Sequence, residues 1–496
     1  MHTTPAPFFE ARKLSFRFPG IEGRQGRSVL NDFSLSLARG SLSVLLGAAD
    51  AGKTTFSRIA AGLIPRFTGG RLSGTMLLGG RDALTQRPYE LMEQVGVVAQ
   101  SSDEQIFLTR CDTEIAFALE SLGMPRSRMH EKVHESLQIM GLGGFEARNP
   151  STLSGGEKKR LLLACLYAIG PELWILDESL AELDLAWKRR TVALLSEIQA
   201  TVLILDSRWQ EGLIQSATSF ALLSNGMVNA SATSADDGTF SRALGAAGIT
   251  PGEALDPPVI RARRHFLSVR DLRYTFPGTD GFSLRIDALD LFEGEMCCLL
   301  GRNGSGKSTL GRILFGLLRP DGGTLTFADL GVPAFGDALC AHVGYLFQNP
   351  DHQIYLPTVR EELSLGLARQ GSSRVEIAER VDAAAMLFGL PDLDEPPALM
   401  SYGARRRLQA ATYYLLARRL LILDEVDSGL SYRELEGLIA ALRKGGAGLV
   451  LITHDMRYAR SIADRVLVMG GGRVIADVSR PSFSSLESLA PETFLP

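Results

Sequence analysis

Lysine is scarce in this chain: only eight of its 52 basic residues are lysine. Charge of one sign is lacking too, since 56 acidic residues leave a formal net charge of -4. That balance excludes the broad positive field of a general nucleic-acid binder. Cysteine is sparse, and the five present (Cys111, Cys165, Cys297, Cys298 and Cys340) are odd in number and form no C-x-x-C pair. A disulfide framework and a zinc site are thereby excluded, leaving reduced core thiols. Long hydrophobic runs are missing: "LLLACLYAIG" at 161–170 falls short of the ~20 residues that span a bilayer. The opening "MHTTPAPFFEARKLSF" has no basic start followed by an apolar core, which predicts no signal peptide and a cytosolic chain.

What the sequence does contain, it contains twice. "LSFRFPG" (14–20) returns as "LRYTFPG" (272–278), "LLGAADAGKTT" (45–55) as "LLGRNGSGKST" (299–309), and "LWILDES" (173–179) as "LLILDEV" (420–426). This is a tandem duplication of a domain of about 230 residues, and 496 residues are too many for one core. The first domain is expected at 8–235 and the second at 263–482. A polar, proline-containing linker is expected over 236–262, and 483–496 form a C-terminal tail. Within each half, short β-branched or leucine-rich runs alternate with helical patterns, the order of an α/β domain built on a mainly parallel sheet.

"SLSVLLG" and "EMCCLLG" read as buried strands running into glycine loops, and "TTFSRIAAGLI" and "STLGRILFGLL" as the helices that follow. Between them, 47–54 and 301–308 satisfy G-x-x-x-x-G-K-[ST], the P-loop. Gly47, Gly52, Gly301, Gly304 and Gly306 let backbone N–H groups close around phosphate oxygens, with Asn303 in the second loop. The helix N-terminus adds positive potential, and Lys53 or Lys307 neutralises phosphate charge. The hydroxyls of Thr54 and Ser308, followed by Thr55 and Thr309, suit magnesium and phosphate. In "LLILDEV", Asp424 ends an apolar strand, where a carboxylate is costly unless it serves a cation. Asp424 is expected to hold Mg2+ through water and Glu425 to orient an attacking water, with Asp177 and Glu178 as their counterparts.

"LSGGEKKR" (153–160), upstream of "LWILDE", resembles the signature of ATP-binding cassette (ABC) ATPases, and the resemblance covers nearly all of both halves. It implies tandem ABC ATPase domains, each with a mainly parallel sheet core, an antiparallel β subdomain and a helical signature subdomain, using ATP and Mg2+. It also implies that the two cassettes pair head to tail, so that each P-loop meets the other cassette's signature: Ser154, Gly155 and Gly156 in the first, Ser401 and Gly403 in the second. Gln100 and Gln348 become Q-loop residues near the metal, His454 the switch histidine, and Phe18 and Phe276 adenine-stacking aromatics, with Tyr274 the competitor of Phe276.

Departures from the family pattern gather on one of the two implied sites. The site on the second P-loop has Lys307, Ser308, Gln348, Asp424, Glu425 and His454, an intact "LSGGE" opposite, and Asp184 ending the opposite D-loop. The other has Lys53, Thr54, Gln100, Asp177 and Glu178. Matching "VLILDSR" to "VLITHDM", however, puts Asp206 where the histidine belongs, and Asp50 adds negative charge to the loop. The opposite signature "MSYGA" has lost two residues, Tyr402 and Ala404 standing in their places, and the opposite D-loop ends in Ser431. One hydrolysing and one slow site are expected.

Around the glutamines, "AQSSDEQIFLTRCDTEIAF" and "FQNPDHQIYLPTVREELSL" share Q-x-x-D-x-Q-I-[FY], similar to the ATPase subunits of energy-coupling factor transporters. That resemblance implies a transmembrane scaffold (T component) and a substrate-binding membrane subunit as partners, no nucleic acid, and a place at the cytoplasmic face of the membrane. Asp103, Gln105, Asp351 and Gln353 are then expected near the groove for the scaffold. The alternatives are the ATPase of an ordinary ABC transporter, and a soluble tandem ABC protein acting on ribosomes or nucleic acid.

Overall fold

The computed structural model describes residues 7–20, 26–209, 216–251, 264–275, 283–329, 331–334, 336–390 and 392–480. The chain divides into two compact units, Met1–Thr250 and Pro251–Pro496. In the first, the strands Leu42–Leu46, Leu173–Asp177 and Thr201–Asp206 are buried at every position. Unbroken burial belongs to strands of a parallel sheet covered on both faces, and it explains their leucine, isoleucine and valine runs. Their sheet has six strands: Val95–Val98, Leu173–Asp177, Thr201–Asp206, Leu42–Leu46, Ser219–Ser224 and, antiparallel at the edge, Met227–Ala232. The second unit repeats it with Val343–Leu346, Leu420–Asp424, Gly448–Ile452, Met296–Gly301, Arg465–Gly470 and Arg473–Ser479.

Each unit also has a four-stranded antiparallel sheet. Phe9–Arg17 lies between Ser28–Leu37 and Arg71–Leu78 in the first, and Arg264–Thr275 between Ser283–Glu293 and Gly322–Phe327 in the second. Alternating burial along these strands turns one face to a core, as half-covered sheets require. A helical subdomain completes each unit: Cys111–Ser121, Arg126–Ile139 and Gly155–Ile169 in one, Val359–Arg369, Arg374–Phe388 and Tyr402–Leu415 in the other.

Part of the stretch that reads as linker is ordered. Gly238–Ala247 is a helix capped by Asp237, and its Phe240 and Leu244 are buried in the first unit's core with Trp209 packed against them. Small residues such as Gly238, Ala243 and Ala247 hid its apolar face from a reading by composition. Residues 252–263 and the tail 483–496 lie outside the described residues, as does Phe276.

Candidate functional site

In both units the P-loop connects a buried strand to a helix that starts on its lysine, Lys53–Ala60 and Lys307–Phe315. The helix is capped by a glycine in the left-handed region, Gly52 at φ 108° and Gly306 at φ 101°. One residue in each loop differs in kind: Asp50 adopts φ 64° where the other loop has Gly304 at φ 77°. Aspartate tolerates that region better than most side chains, and Asp50 is exposed at the loop tip. The lysines fold back over the loops. Lys53 Nζ donates to the Gly47 and Ala48 carbonyls at 2.5 and 3.0 Å, and Lys307 Nζ to those of Gly301 and Arg302 at 2.8 and 3.0 Å.

Behind each loop stands the buried acid pair. Asp424 accepts the Ser308 hydroxyl at 3.0 Å and the Tyr345 hydroxyl in a shorter bond. Burial, with Glu425 beside it, pushes the Asp424 carboxyl up to about 6. Asp177 accepts the Ser57 hydroxyl at 3.1 Å, while its Oδ1 is buried with no hydrogen-bond partner among the described residues. The two arrangements are exchanges of the same space. Ser57 corresponds to Gly311, where a Cβ would come within 2.9 Å of the Tyr345 ring, so glycine there makes room for a tyrosine that reaches the aspartate from the neighbouring strand. A buried carboxylate with an open lone pair, beside a hydroxyl and a lysine at a helix N-terminus, fits Mg2+ and a polyphosphate.

The second acids differ more. Glu425 and Glu178 both sit in the left-handed region, at φ 48° and 52°, which turns each side chain back from the strand end. Glu425 Oε2 accepts the Gln348 amide at 2.9 Å, and its Oε1 lies 3.1 Å from His454 Nε2. Burial alone would raise Glu425, but its bond to His454 and the charges of His454 and Lys307 outweigh that and hold it below its ordinary value. Glu178 instead lies 3.3 Å from Lys53 and accepts the Ser207 hydroxyl at 3.2 Å. Burial pushes it up to about 8 against the pull of Lys53, and Asp206 and Asp177 add to the rise.

The sheets correct the expected place of Asp206. Asp177 pairs with Leu205 as Asp424 pairs with Ile452, and Leu45 pairs with Leu205 as Leu299 does with Ile452. Asp206 therefore corresponds to Thr453, and Ser207 takes the position of His454. The contacts agree: Asp206 Oδ1 accepts the Arg208 N–H at 3.0 Å, just as Thr453 Oγ1 accepts that of Asp455 at 3.0 Å. The ungapped match of "VLI" was misleading because the first strand, Thr201–Asp206, is one residue longer than Gly448–Ile452. Only the register of hydrogen bonds shows where the extra residue lies.

Ser154 and Ser401 are the N-caps of the signature helices. Ser154 forms a reciprocal capping box with Glu157, whereas Ser401 accepts the Ala404 N–H at 3.1 Å with no carboxylate to answer it. Gly155, Gly156 and Gly403 occupy the first turns of these helices. Asp184 and Ser431 each cap the next helix, so the loss of the acid at Ser431 leaves capping intact. Phe18 is half-buried, its ring 4.9 Å from Phe16, while Tyr274 is buried in the second core at the place of Phe16 and does not compete for a stacking role.

One feature had no signal in the motifs. Lys159, fully buried, donates to the Ala99 and Gln100 carbonyls at 2.7 and 2.6 Å; Arg406, equally buried, donates to Phe347 O at 2.6 Å and to Gln348 O. A basic residue of each signature helix thus holds its own unit's Q-loop. A cation at the same place in "EKKR" and "ARRR", on a helix otherwise apolar on that side, was the available clue.

Two glycine cradles with their lysines, each backed by a buried acid pair at the end of a parallel strand, are the arrangement of a P-loop nucleoside triphosphatase, present twice in one chain. The family model for the ABC transporter matches residues 30–181 and 284–428, and the chain belongs to this family, as an ATP-binding ATPase. A Methanosarcina acetivorans relative named as an ABC transporter ATP-binding protein is 30% identical over 98% of this chain and 93% of its own length. Among solved structures, the archaeal ribosome recycling factor aABCE1, in a complex with the stalk protein aP1, shares the tandem fold. It matches at 19% identity and TM-score 0.58, over 96% of this chain and 92% of its own. A single-cassette structure, cbiO1 from Clostridium perfringens, described as part of the ABC transporter complex cbiONQ, is 28% identical. It covers 46% of this chain and 94% of its own, with TM-score 0.42. Among the described residues no helix is long and apolar enough to cross a membrane.

Proposed function

We propose that the chain is the energy-coupling ATPase of a membrane importer of the energy-coupling factor type, serving vitamin or metal-ion uptake from the cytoplasmic face of the membrane. A transmembrane scaffold and a substrate-binding membrane subunit are its partners. The observation that carries this reading is the Q-loop module that both halves repeat. Gln105 braces its loop by accepting the Ala99 N–H at 2.7 Å and donating to Val97 O at 2.9 Å; Gln353 does the same with Phe347 and Tyr345 at 3.0 and 2.8 Å. Asp103 pairs with Lys158 at 2.7 Å and Asp351 with Arg405 at 2.8 Å. Buried Glu114 accepts the N–H of Leu108 at 2.7 Å, and buried Glu362 that of Leu356 at 2.8 Å.

These clamps hold one aromatic side chain out of each unit, Phe107 at 72% and Tyr355 at 76% exposure. An exposed apolar residue follows on the next helix, Phe117 and Leu365. Rigid aromatic knobs with apolar neighbours suit an apolar partner helix better than they suit water. The test is copurification from detergent-solubilised membranes. Membrane subunits should accompany the intact chain and be lost from Phe107→Ser/Tyr355→Ser; recovery of ribosomes or nucleic acid instead would overturn the reading.

Within this reading the two sites work unequally. MgATP supplies the transferable phosphoryl group and the metal charge. The chain supplies the two P-loops, with Lys53 and Lys307 on the phosphates, and the carboxylates and hydroxyls of Asp177, Thr54, Asp424 and Ser308 on the metal side, joined by Gln100 and Gln348. The adenine of the first site is assigned to Phe18; its counterpart in the repeat, Phe276, lies outside the described residues. Glu425, held low by His454, is the proton acceptor that orients water at the second site. Glu178, whose carboxyl is pushed up by burial and by the neighbouring Asp206 and Asp177, is the weaker acceptor, so the first site holds nucleotide and turns over slowly. Steady-state ATPase rates of Glu425→Gln and Glu178→Gln test this assignment.

A further inference from the structure

The signature "MSYGA" departs from "LSGGE" by a tyrosine in place of a glycine, and that tyrosine has a partner within its own unit. Tyr402 is half-buried in the first turn of the helix Tyr402–Leu415, and its hydroxyl donates to the carbonyl of Gln348 at 2.9 Å. Arg406, one turn on, donates to the Tyr402 hydroxyl oxygen at 2.7 Å and to the same Gln348 carbonyl. The Gln348 side chain in turn donates to Glu425 at 2.9 Å. A continuous path therefore runs from Tyr402 through the Gln348 peptide to the acid that orients water. In the first unit glycine occupies this place, as Gly155, and Lys159 alone holds the Q-loop carbonyls.

We propose that Tyr402 is a positioning residue for the ATP site of its own cassette. The substitution that weakens the signature for the first site stiffens the Q-loop of the second. Arg406 is buried among carbonyls and fixed by Phe347 O, so it orients the tyrosine hydroxyl toward Gln348 O. The hydroxyl fixes the peptide plane of Gln348, and with it the direction in which the amide leaves for Glu425. A glutamine on a freer loop would reach Glu425 in only part of the population, and turnover would fall with that fraction while the phosphate cradle, built on 301–309, stayed intact. The phenol supplies a donor that glycine lacks, and phenylalanine would keep the ring and its stacking with Arg406, at 5.0 Å, while removing the hydroxyl that donates to Gln348 O and accepts from Arg406.

The inference rests on the reading that the second site carries turnover, so it is measured on the full chain in a Glu178→Gln background. In that background Tyr402→Phe should lower kcat about threefold to tenfold, the size of one lost hydrogen bond, with KM for MgATP changed less than twofold. Hydrogen exchange should speed up at 347–349 with the melting temperature held. Unchanged kcat, a loss confined to KM, or unchanged exchange at 347–349 would each overturn the inference. Should the Tyr402→Phe chain melt early, Tyr402→Trp, which keeps a ring and an N–H donor, must retain more kcat than Tyr402→Leu; equal loss in the two counts against it. Glu425→Gln in the otherwise intact chain separates the two ideas: if most turnover persists there, the reading of the second site fails. If turnover falls there to about a tenth and Tyr402→Phe has no effect, only the inference fails.

Discussion

Substituting the two buried glutamates one at a time puts numbers on the inequality of the sites. Glu178 is pushed up to about 8. A carboxyl of that pKa is about one-tenth ionised at pH 7, whereas one held below its ordinary value, as Glu425 is, is fully ionised. If rate follows the fraction of glutamate able to accept hydrogen bonds from water, the first site contributes about a tenth of the turnover or less. Steady-state phosphate release at pH 7 should therefore keep about nine-tenths in Glu178→Gln and about a tenth or less in Glu425→Gln. The sign of the pH dependence follows from the same shift. An acid whose pKa is raised gains its carboxylate as pH rises, so the residual rate of Glu425→Gln, taken relative to the intact chain, should climb about fivefold between pH 7 and 8 as Glu178 goes from about one-tenth to one-half ionised. Equal losses from the two substitutions, or a residual rate flat with pH, would refute the reasoning.

Replacing His454 with serine copies the first site's arrangement into the second. It removes the bond and charge that hold Glu425 low, so turnover at pH 7 should fall about tenfold, to the share the first site carries, and recover in part as pH rises; a pH-independent residual rate would show that His454 acts otherwise than through Glu425. Asp424→Asn probes a penalty. Raising that carboxyl from 3.8 to about 6 opposes folding of the nucleotide-free chain by about 3 kcal/mol at pH 7, an opposition absent below pH 4 and complete above pH 6. The asparagine amide gives part of this back by facing the Tyr345 and Ser308 hydroxyls. A melting temperature about 2–4 °C above the parent at pH 7.5, no gain at pH 4, and lost stabilisation by MgATP are expected, measured by calorimetry; the same gap at both pH values would count against the assignment.

The duplication, the alternation of strands and helices in each half and both phosphate cradles were legible in the sequence, because each is written in short motifs and runs of neighbouring residues. A buried parallel strand announces itself by unbroken hydrophobicity, and a P-loop by glycines spaced for one turn. The helix Gly238–Ala247 was not legible, since its apolar face is carried by Phe240 and Leu244 among small residues. Nor was the companion of Asp424: Tyr345 reaches it from a neighbouring strand, through room that Gly311 leaves on a third element.

By itself the sequence determined that this is a tandem ABC ATPase with a full set of catalytic side chains in one half and departures in the other. The tertiary structure decided where those departures lie and what surrounds them. Strand pairing moved the histidine's place from Asp206 to Ser207, because register is set by hydrogen bonds between strands and not by resemblance along one of them. Burial and distance set one glutamate against a histidine, which holds its carboxyl low, and its twin against a lysine and a serine, where burial pushes it up. A pKa depends on which groups lie within a few ångströms in three dimensions, and no spacing in the chain contains that information.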